Sequence, residues 1–328
     1  MERKSLLLLL LGTLLVALPF ALHVFYQLLA VTAILWILLA LSFNTLVGDL
    51  GELSFGHAAF YGIGAYASAL TVMRLGVPVP AGVLAGALVA GMTVFLVGIP
   101  AFQTKGHYFA LVTMGFGQLV VLVMTSWENL TGGAIGLRNI PSLGLGDDLR
   151  ATYLAFLVIF ALVLGFLYRL RSSHVGEAFD AIREDTFLAE SIGIPAKRYK
   201  LLGFFFSCAI AGLAGGLMAH LYQYVSPLEF DLSTTLTIAL MTLAGGAGTL
   251  WGPIVGALFL HLVPETMHAI DTYRTAAYGL ILMLLIIFLP GGLASLTGLA
   301  SGALRRLAHK GMTTTEPKPA TREEGGSG

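Results

Sequence analysis

Few residues of this 328-residue chain are of types and at spacings that could carry out chemistry. His57, His107, His220 and His261 are scattered along the chain and form no metal-site motif, and the single Cys208 cannot form an intrachain disulfide. The spacing of Ser, His and Asp residues supports no catalytic triad of a hydrolase, and no phosphate-binding G-x-x-x-x-G-K-[ST] motif occurs. The sequence therefore predicts no catalytic residue, no metal or cofactor, and no ATP hydrolysis on this chain.

The composition indicates a lipid environment. The chain is 57% hydrophobic and 11% charged, whereas soluble domains are about 45–50% apolar and about 25% charged. Runs of roughly 20 apolar residues, the length that crosses a bilayer, lie at 6–22, 24–46, 56–75, 80–99, 108–126, 151–168, 201–222, 233–250, 253–270 and 275–290. We expect an all-α, polytopic bundle of about eight to ten transmembrane helices within residues 1–300, followed by a disordered cytoplasmic tail at 301–328.

The distribution of charge predicts the orientation in the membrane. If the N-terminus lies inside, alternating spans place fourteen of the 18 Lys and Arg residues on the cytoplasmic side and leave Arg74, Arg138, Arg150 and Arg274 outside. Both termini are then cytoplasmic. No charged residue lies deep in a predicted span, which argues against a pump driven by buried carboxylates. The net charge of zero gives no reason to expect a nucleic-acid partner.

Two long stretches separate the predicted spans. The external loop 127–150 is rich in Gly, Asn, Asp and Pro and is either a plain connection or a docking surface for an external partner. The cytoplasmic loop 169–200 instead carries an apolar stripe at helical spacing on an otherwise charged segment. The stripe consists of Val175, Ala178, Phe179, Ile182, Ala189 and Ile192.

The 169–200 loop is predicted to form two short helices. Ser172 or Ser173 is expected to cap the first helix, Asp185 or Thr186 the second, and Gly193 to end it. The apolar stripe needs a surface to pack against: a groove on a cytoplasmic partner, the membrane, or the chain's own bundle. The mixture of acidic and basic residues disfavours binding to anionic lipid.

The residues of this loop carry a family resemblance. The run from Gly176 to Ile194, GEAFDAIREDTFLAESIGI, resembles the cytoplasmic coupling loop of permease subunits of branched-chain amino-acid ABC importers of the LivM-like type. The runs SFGHAAFYGIGAY at 54–66, AGLAG at 211–215, GGAGTLWGP at 245–253 and PGGL at 290–293 resemble further signatures of that family, in the same order. The resemblance covers about residues 25–295.

The resemblance implies a set of partners in the inner membrane of a prokaryote. These are a second, LivH-like permease, two cytoplasmic ATPase subunits and an external solute-binding protein that delivers a small amino acid. The residues implied to contact the ATPase are Gly176, Glu177, Ala178, Phe179, Ala181, Ile182, Arg183, Glu184, Asp185, Ala189, Glu190 and Gly193. Changing Glu184 to Lys, or Phe179 and Ile182 to Asp, is expected to uncouple the ATPase and leave the permease folded.

Two glycine-rich breaks, at 48–56 and 245–252, interrupt apolar runs in the two halves of the chain. Such breaks can bind a solute through exposed backbone groups and a helix N-terminus, or they are plain turns. Ser54 is a candidate cap for the helix that follows the first break. The residues predicted to line the solute path are Asn44, Ser54, Gly56, His57, Phe60 and Tyr61.

Alternatives remain for the solute and for the class of transporter. Importers of urea, short-chain amides and other amino acids share much of the same permease pattern. A stand-alone channel or secondary carrier is a candidate of another class, and it would need no ATPase. Uptake by this chain alone would favour that candidate.

Overall fold

The computed structural model describes Pro19 and residues 23–102, 108–144, 148–266 and 292–293. Apart from Pro19, the predicted span at 6–22 lies outside the described residues, as do the predicted span at 275–290 and the tail at 301–328. The described helices are α1 Val24–Leu50, α2 His57–Leu75, α3 Val79–Ala101, α4 Tyr108–Ser126, α5 Glu128–Thr131, α6 Leu149–Arg171, α7 His174–Glu184, α8 Thr186–Ser191, α9 Ala196–Tyr222, α10 Leu232–Gly245 and α11 Gly252–Thr266. Two 3-10 turns, Gly133–Ile135 and Pro227–Phe230, and the two-residue strands β1 Leu137–Arg138 and β2 Tyr224–Val225 complete the described elements.

Among the described helices, five are long and apolar enough to cross a membrane: α1, α3, α4, α6 and α9. They contain 19 to 27 residues, which at about 1.5 Å per residue matches or exceeds a hydrocarbon core of about 30 Å. Large apolar side chains such as Leu96, Leu122 and Leu162 are exposed on their outer faces, as expected where lipid is the solvent. The helical membrane bundle expected from the sequence is confirmed, with the short β1–β2 ribbon as a local exception.

Helix α10 corrects the span predicted at 233–250. It ends at Gly245, because the chain turns at Gly246 and Gly248, whose φ angles of 113° and 84° favour glycine. Its 14 residues reach only about 21 Å, which is too short to cross the hydrocarbon core. Helix α10 is therefore a short helix inside the bundle.

The centre of the bundle is formed by α9 packed against α1, α2 and α3. Glycine lets these backbones approach closely, because a Cβ atom on Gly64 of α2 would overlap the backbone of Gly212 of α9. A Cβ atom on Gly86 of α3 would likewise overlap the carbonyl oxygen of Gly64. The glycine pairs of α3 and α9 are thus used for packing within this chain.

The bundle has two distinct ends. Asp49, Glu52, Arg171, Arg183 and Lys200 define what we call the charged end. The opposite, ribbon end is defined by the pairing of β1 with β2. Helix α9 starts at the charged end and stops just before β2, so its 27 residues separate the two ends by about 40 Å. The placement of the connecting segments at one end or the other agrees with the alternation of spans predicted from the sequence.

Candidate functional site

The 169–200 loop is tied to the end of α1 by three polar contacts. An Arg171 Nη atom lies 2.6 Å from a carboxylate oxygen of Asp49, and Lys200 Nζ lies 2.6 Å from Glu52 Oε1. Between them, Arg183 Nη1 donates a hydrogen bond of 2.6 Å to the carbonyl oxygen of Gly48. All three contacts are partly shielded from solvent, which strengthens them relative to fully exposed pairs. The loop is therefore held against the bundle at its start, middle and end.

The apolar stripe of the loop packs against the chain's own bundle. Ala178, Phe179, Ile182 and Ala189 are all buried. The Phe179 ring lies edge-on to Tyr199, and a Cβ atom added to Gly203 of α9 would lie 3.2 Å from Phe179 Cζ. The expectation that Asp at Phe179 and Ile182 leaves the permease folded is therefore wrong, because those side chains are in the core and a buried unpaired charge is strongly destabilising.

A different set of apolar side chains is exposed on the loop. Phe187 and Leu188 of α8 are 80% and 62% exposed, and Ile192 just after it is 70% exposed. We call these three residues the apolar tip. The sequence reasoning placed Ile192 on the buried stripe and missed Phe187 and Leu188. Helix α8 has only six residues, which is too short for periodicity to reveal which face is buried.

The predicted stop signals of the loop are confirmed, and the caps are confirmed in part. Asp185 caps α8, since its carboxylate accepts hydrogen bonds of 2.8 and 3.1 Å from the backbone N–H groups of Phe187 and Leu188. Gly193 adopts a φ of 91° where the second helix ends. Ser173 stands at the N-cap position of α7 but makes no capping bond, because its hydroxyl donates to the Leu170 carbonyl instead.

The other residues predicted to contact the ATPase divide by exposure. Gly176 is buried where α7 turns back on α6, and a Cβ atom there would overlap the Arg171 carbonyl oxygen. Ala181 is partly buried. The charged members of the set remain at the surface: Glu177, Arg183, Glu184, Asp185 and Glu190.

The residues predicted for the solute path are mostly packing residues in this structure. His57 is fully buried, and its Nε2 atom lies 2.8 Å from the Ser42 hydroxyl. Phe60 packs between Phe116 and Phe204 with ring centroids 5.4 and 5.3 Å away. Gly56 packs against α4, where a Cβ atom would overlap the Thr113 backbone.

The N-terminus of α2 is capped by threonines from other helices. Thr113 Oγ1 accepts from the N–H of Phe55 at 3.2 Å, and Thr235 Oγ1 accepts from the N–H of Ala58 at 3.0 Å. Ser54 does not cap the helix, and its buried hydroxyl has no hydrogen-bond partner among the described residues. Two backbone N–H groups at this helix N-terminus, where the sequence predicted solute binding through exposed backbone groups, are thus already occupied.

Tyr61, another predicted path residue, borders a cavity in the described structure. The cavity, of about 290 Å³, is half open and lies between α1, α2, α9 and the start of α10. Leu35, Leu39 and Met218 form an apolar wall, while Glu229 contributes a carboxylate. Partial burial raises the pKa of Glu229 above its usual value. The cavity therefore combines apolar surface with a single acidic group.

The two glycine-rich breaks meet at the charged end. Asn44 of α1, just before the first break, binds the second, since its Oδ1 accepts from the N–H of Gly248 and its Nδ2 donates to the Thr249 carbonyl, both at 2.9 Å. Gly48 of α1 packs directly against the chain at Gly248, and a Cβ atom added to Gly48 would come within 2.5 Å of the Gly248 nitrogen. Asn44 thus holds the second break against the last turns of α1. Among the described residues, no three His, Cys, Asp or Glu side chains are grouped as metal ligands.

Comparison with known proteins gives consistent matches over most of the chain. Residues 25–289 match the family described as branched-chain amino acid transport system / permease component. The chain is 30% identical over 295 residues to the high-affinity branched-chain amino acid transport system permease protein LivM of Escherichia coli K12, covering 82% of this chain and 69% of that protein. It is 23% identical over 278 residues to LivH of Salmonella typhi, with 78% and 90% covered. It is 25% identical over 296 residues to BraD of Pseudomonas aeruginosa, with the same coverage.

No solved structure shows a significant match to the chain. The family match nevertheless covers the whole described bundle of apolar helices, since it begins in α1 and extends beyond α11. On these grounds, the chain belongs to the family of permease components of branched-chain amino acid transport systems.

Proposed function

We propose that this chain is the membrane-spanning subunit of an ATP-driven importer of branched-chain amino acids. It would pair with a second, LivH-like permease, receive solute from an external binding protein and be driven by two cytoplasmic ATPase subunits. The charged end and both termini would face the cytoplasm, in line with the excess of Lys and Arg predicted for that side. The relatives named for branched-chain amino acid transport support the solute class.

The apolar tip is the observation that carries the ATPase-docking part of the proposal. Three large apolar side chains stand exposed at a short helix pair, and Arg171 and Lys200 on either side of that pair form ion pairs with Asp49 and Glu52 at the end of α1. Exposed Glu184, Asp185 and Glu190 lie close to the tip residues in the sequence, so an anionic lipid surface is a poor partner. An apolar centre with a polar rim is instead the anatomy of a protein–protein interface. The tip and its acidic rim are proposed to contact the ATPase.

Solute contact is proposed at the cavity beside Tyr61. An amphipathic amino acid could place its aliphatic side chain against Leu35, Leu39 and Met218 and its ammonium group toward Glu229. The start of α2 and the short helix α10 lie beside this cavity. Interrupted helices next to a cavity are typical of transporter substrate sites.

Reconstitution into liposomes tests the proposal. The chain is reconstituted with its partner permease and ATPases, and leucine uptake is measured with and without ATP and with and without the binding protein. We expect uptake only when all components and ATP are present. The matched control is the same complex with an ATPase variant that binds but does not hydrolyse ATP. Uptake of leucine or urea by this chain alone, without ATP, would show that it is a channel or secondary carrier.

A further inference from the structure

Arg183 reaches two separate elements from the helix pair of the 169–200 loop. Its Nη1 atom donates to the carbonyl of Gly48 in the last turn of α1, where carbonyl groups lack intrahelical partners and the helix dipole favours a cation. The same guanidinium lies over Gly248 in the α10–α11 connection, where an added Cβ atom would come within 2.8 Å of Nη1 and 3.3 Å of Nη2. The guanidinium therefore lies between the two glycine-rich breaks.

Asn44 connects α1 directly to the α10–α11 connection that Arg183 contacts. It binds the α10–α11 connection through Gly248 and Thr249, so a displacement that Arg183 imposes on that connection also reaches α1. By contrast, the ion pairs of Arg171 and Lys200 run only to Asp49 and Glu52 beside the end of α1. Arg183 differs from both because it also contacts the α10–α11 connection.

We propose that Arg183 is a positioning residue that transmits displacement of the α7–α8 helix pair to the two glycine-rich breaks at once. The inference rests on the proposed function, since it assumes that the ATPase moves this helix pair. Glycine at 48 and 248 leaves space for the guanidinium and for close contact of the two backbones. Movement of α7 would therefore displace the end of α1 and the α10–α11 connection together, and the ends of α1, α10 and α11 with them.

Hydrogen exchange measured by mass spectrometry on the full reconstituted complex tests the transmission. The amide of Gly248 donates to Asn44 and that of Gly252 to Thr249, so their exchange reports opening of the junction. In the wild-type complex, we expect a non-hydrolysable ATP analogue to change exchange in both segments 186–192 and 245–252. In R183A, the change at 186–192 should persist, whereas the change at 245–252 and the solute transported per ATP should each fall about tenfold.

Arg74 provides a matched control. It also donates to a backbone carbonyl, that of Asn129, but far from the charged end. R74A should therefore leave the exchange response and the transport ratio at wild-type values. A merely structural role of Arg183 predicts a different pattern, in which R183A lowers the yield of assembled complex but leaves the exchange response of the assembled fraction unchanged.

R183K keeps the inference testable if R183A fails to assemble. Lysine can donate to the Gly48 carbonyl but has no planar guanidinium group to lie over Gly248. We therefore expect R183K to assemble but to show a reduced hydrogen-exchange response at 245–252. A wild-type response at 245–252 in either variant overturns the inference. Failure of the proposed ATPase docking is distinguishable from this result, because segment 186–192 would then show no protection when ATPases bind to the wild-type permease.

Discussion

Phe179 and Phe187 provide a sharp test of which residues of the 169–200 loop serve the fold and which serve a partner. They lie on the consecutive helices α7 and α8, and Phe179 is 1% exposed whereas Phe187 is 80% exposed. Replacing Phe179 with Ala empties a packed site and should lower the free energy of unfolding by about 3–5 kcal/mol. The same change at Phe187 should alter it by less than about 0.5 kcal/mol.

Binding of the ATPase should show the opposite order. A large apolar side chain at the centre of an interface typically contributes about 2 kcal/mol when truncated, which corresponds to roughly 30-fold weaker binding. We therefore expect Phe187→Ala to raise the dissociation constant of the purified ATPase by about that factor. Phe187→Leu, which keeps most of the apolar surface, should bind within a few-fold of wild type.

The measurements are thermal unfolding of the permease pair in detergent and titration of labelled ATPase onto the same pair in lipid nanodiscs. The titration is made below the unfolding temperature of each variant, so that loss of fold is not mistaken for loss of binding. Wild-type affinity for Phe187→Ala would refute the assignment of the apolar tip. A large loss of stability in Phe187→Ala would refute its placement at the surface.

Three further predictions concern the described contacts. Gly64→Val should prevent assembly of the bundle, measured by the yield of monodisperse protein, whereas Gly165→Ala in α6, which has nothing within 4 Å of an added Cβ atom, should be neutral. Asp185→Ala should remove the cap of α8 at a cost of about 1 kcal/mol and speed hydrogen exchange at the backbone amides of Phe187 and Leu188. Wild-type protection of these two amides in the variant would contradict the assignment of Asp185 as the cap. Asn44→Leu should lower the free energy of unfolding by about 2–4 kcal/mol, because two hydrogen bonds are lost and their partners are left unsatisfied. Thr45→Val should cost less than about 1.5 kcal/mol, because the Thr45 hydroxyl donates within its own helix. Equal losses of stability in the two variants would contradict the role of Asn44 in joining α1 to the α10–α11 connection.

Local signals in the sequence predicted much of the helical framework. Eight of the ten predicted spans overlap described helices, and five of those helices are long and apolar enough to cross a membrane. A long run of apolar residues can satisfy its own backbone groups in lipid only as a helix. Asp185 and Gly193 also acted as predicted, since a cap depends on residues only a few positions away. The end of α10 was missed because apolar residues continue past Gly245, and the backbone angles at Gly246 and Gly248 are not visible in hydrophobicity.

The candidate site could be predicted less completely. The 169–200 loop was correctly predicted as two short helices, but an apolar stripe alone does not show what covers it. In the structure the bundle covers Phe179 and Ile182 and leaves Phe187 exposed. Likewise, most predicted path residues became packing residues, because burial depends on neighbours such as Phe204 that lie far away in the sequence.

Residue type and order alone therefore establish that the chain is a helical membrane protein, where most of its spans lie, and which permease family it resembles. Each of these properties follows from composition, periodicity or short motifs, which act over a few turns of chain. Only the tertiary structure brings Gly48 to Gly248 and places Arg183 against both. Such contacts join segments far apart in the chain and depend on the packing of whole helices, so no local pattern in the sequence encodes them.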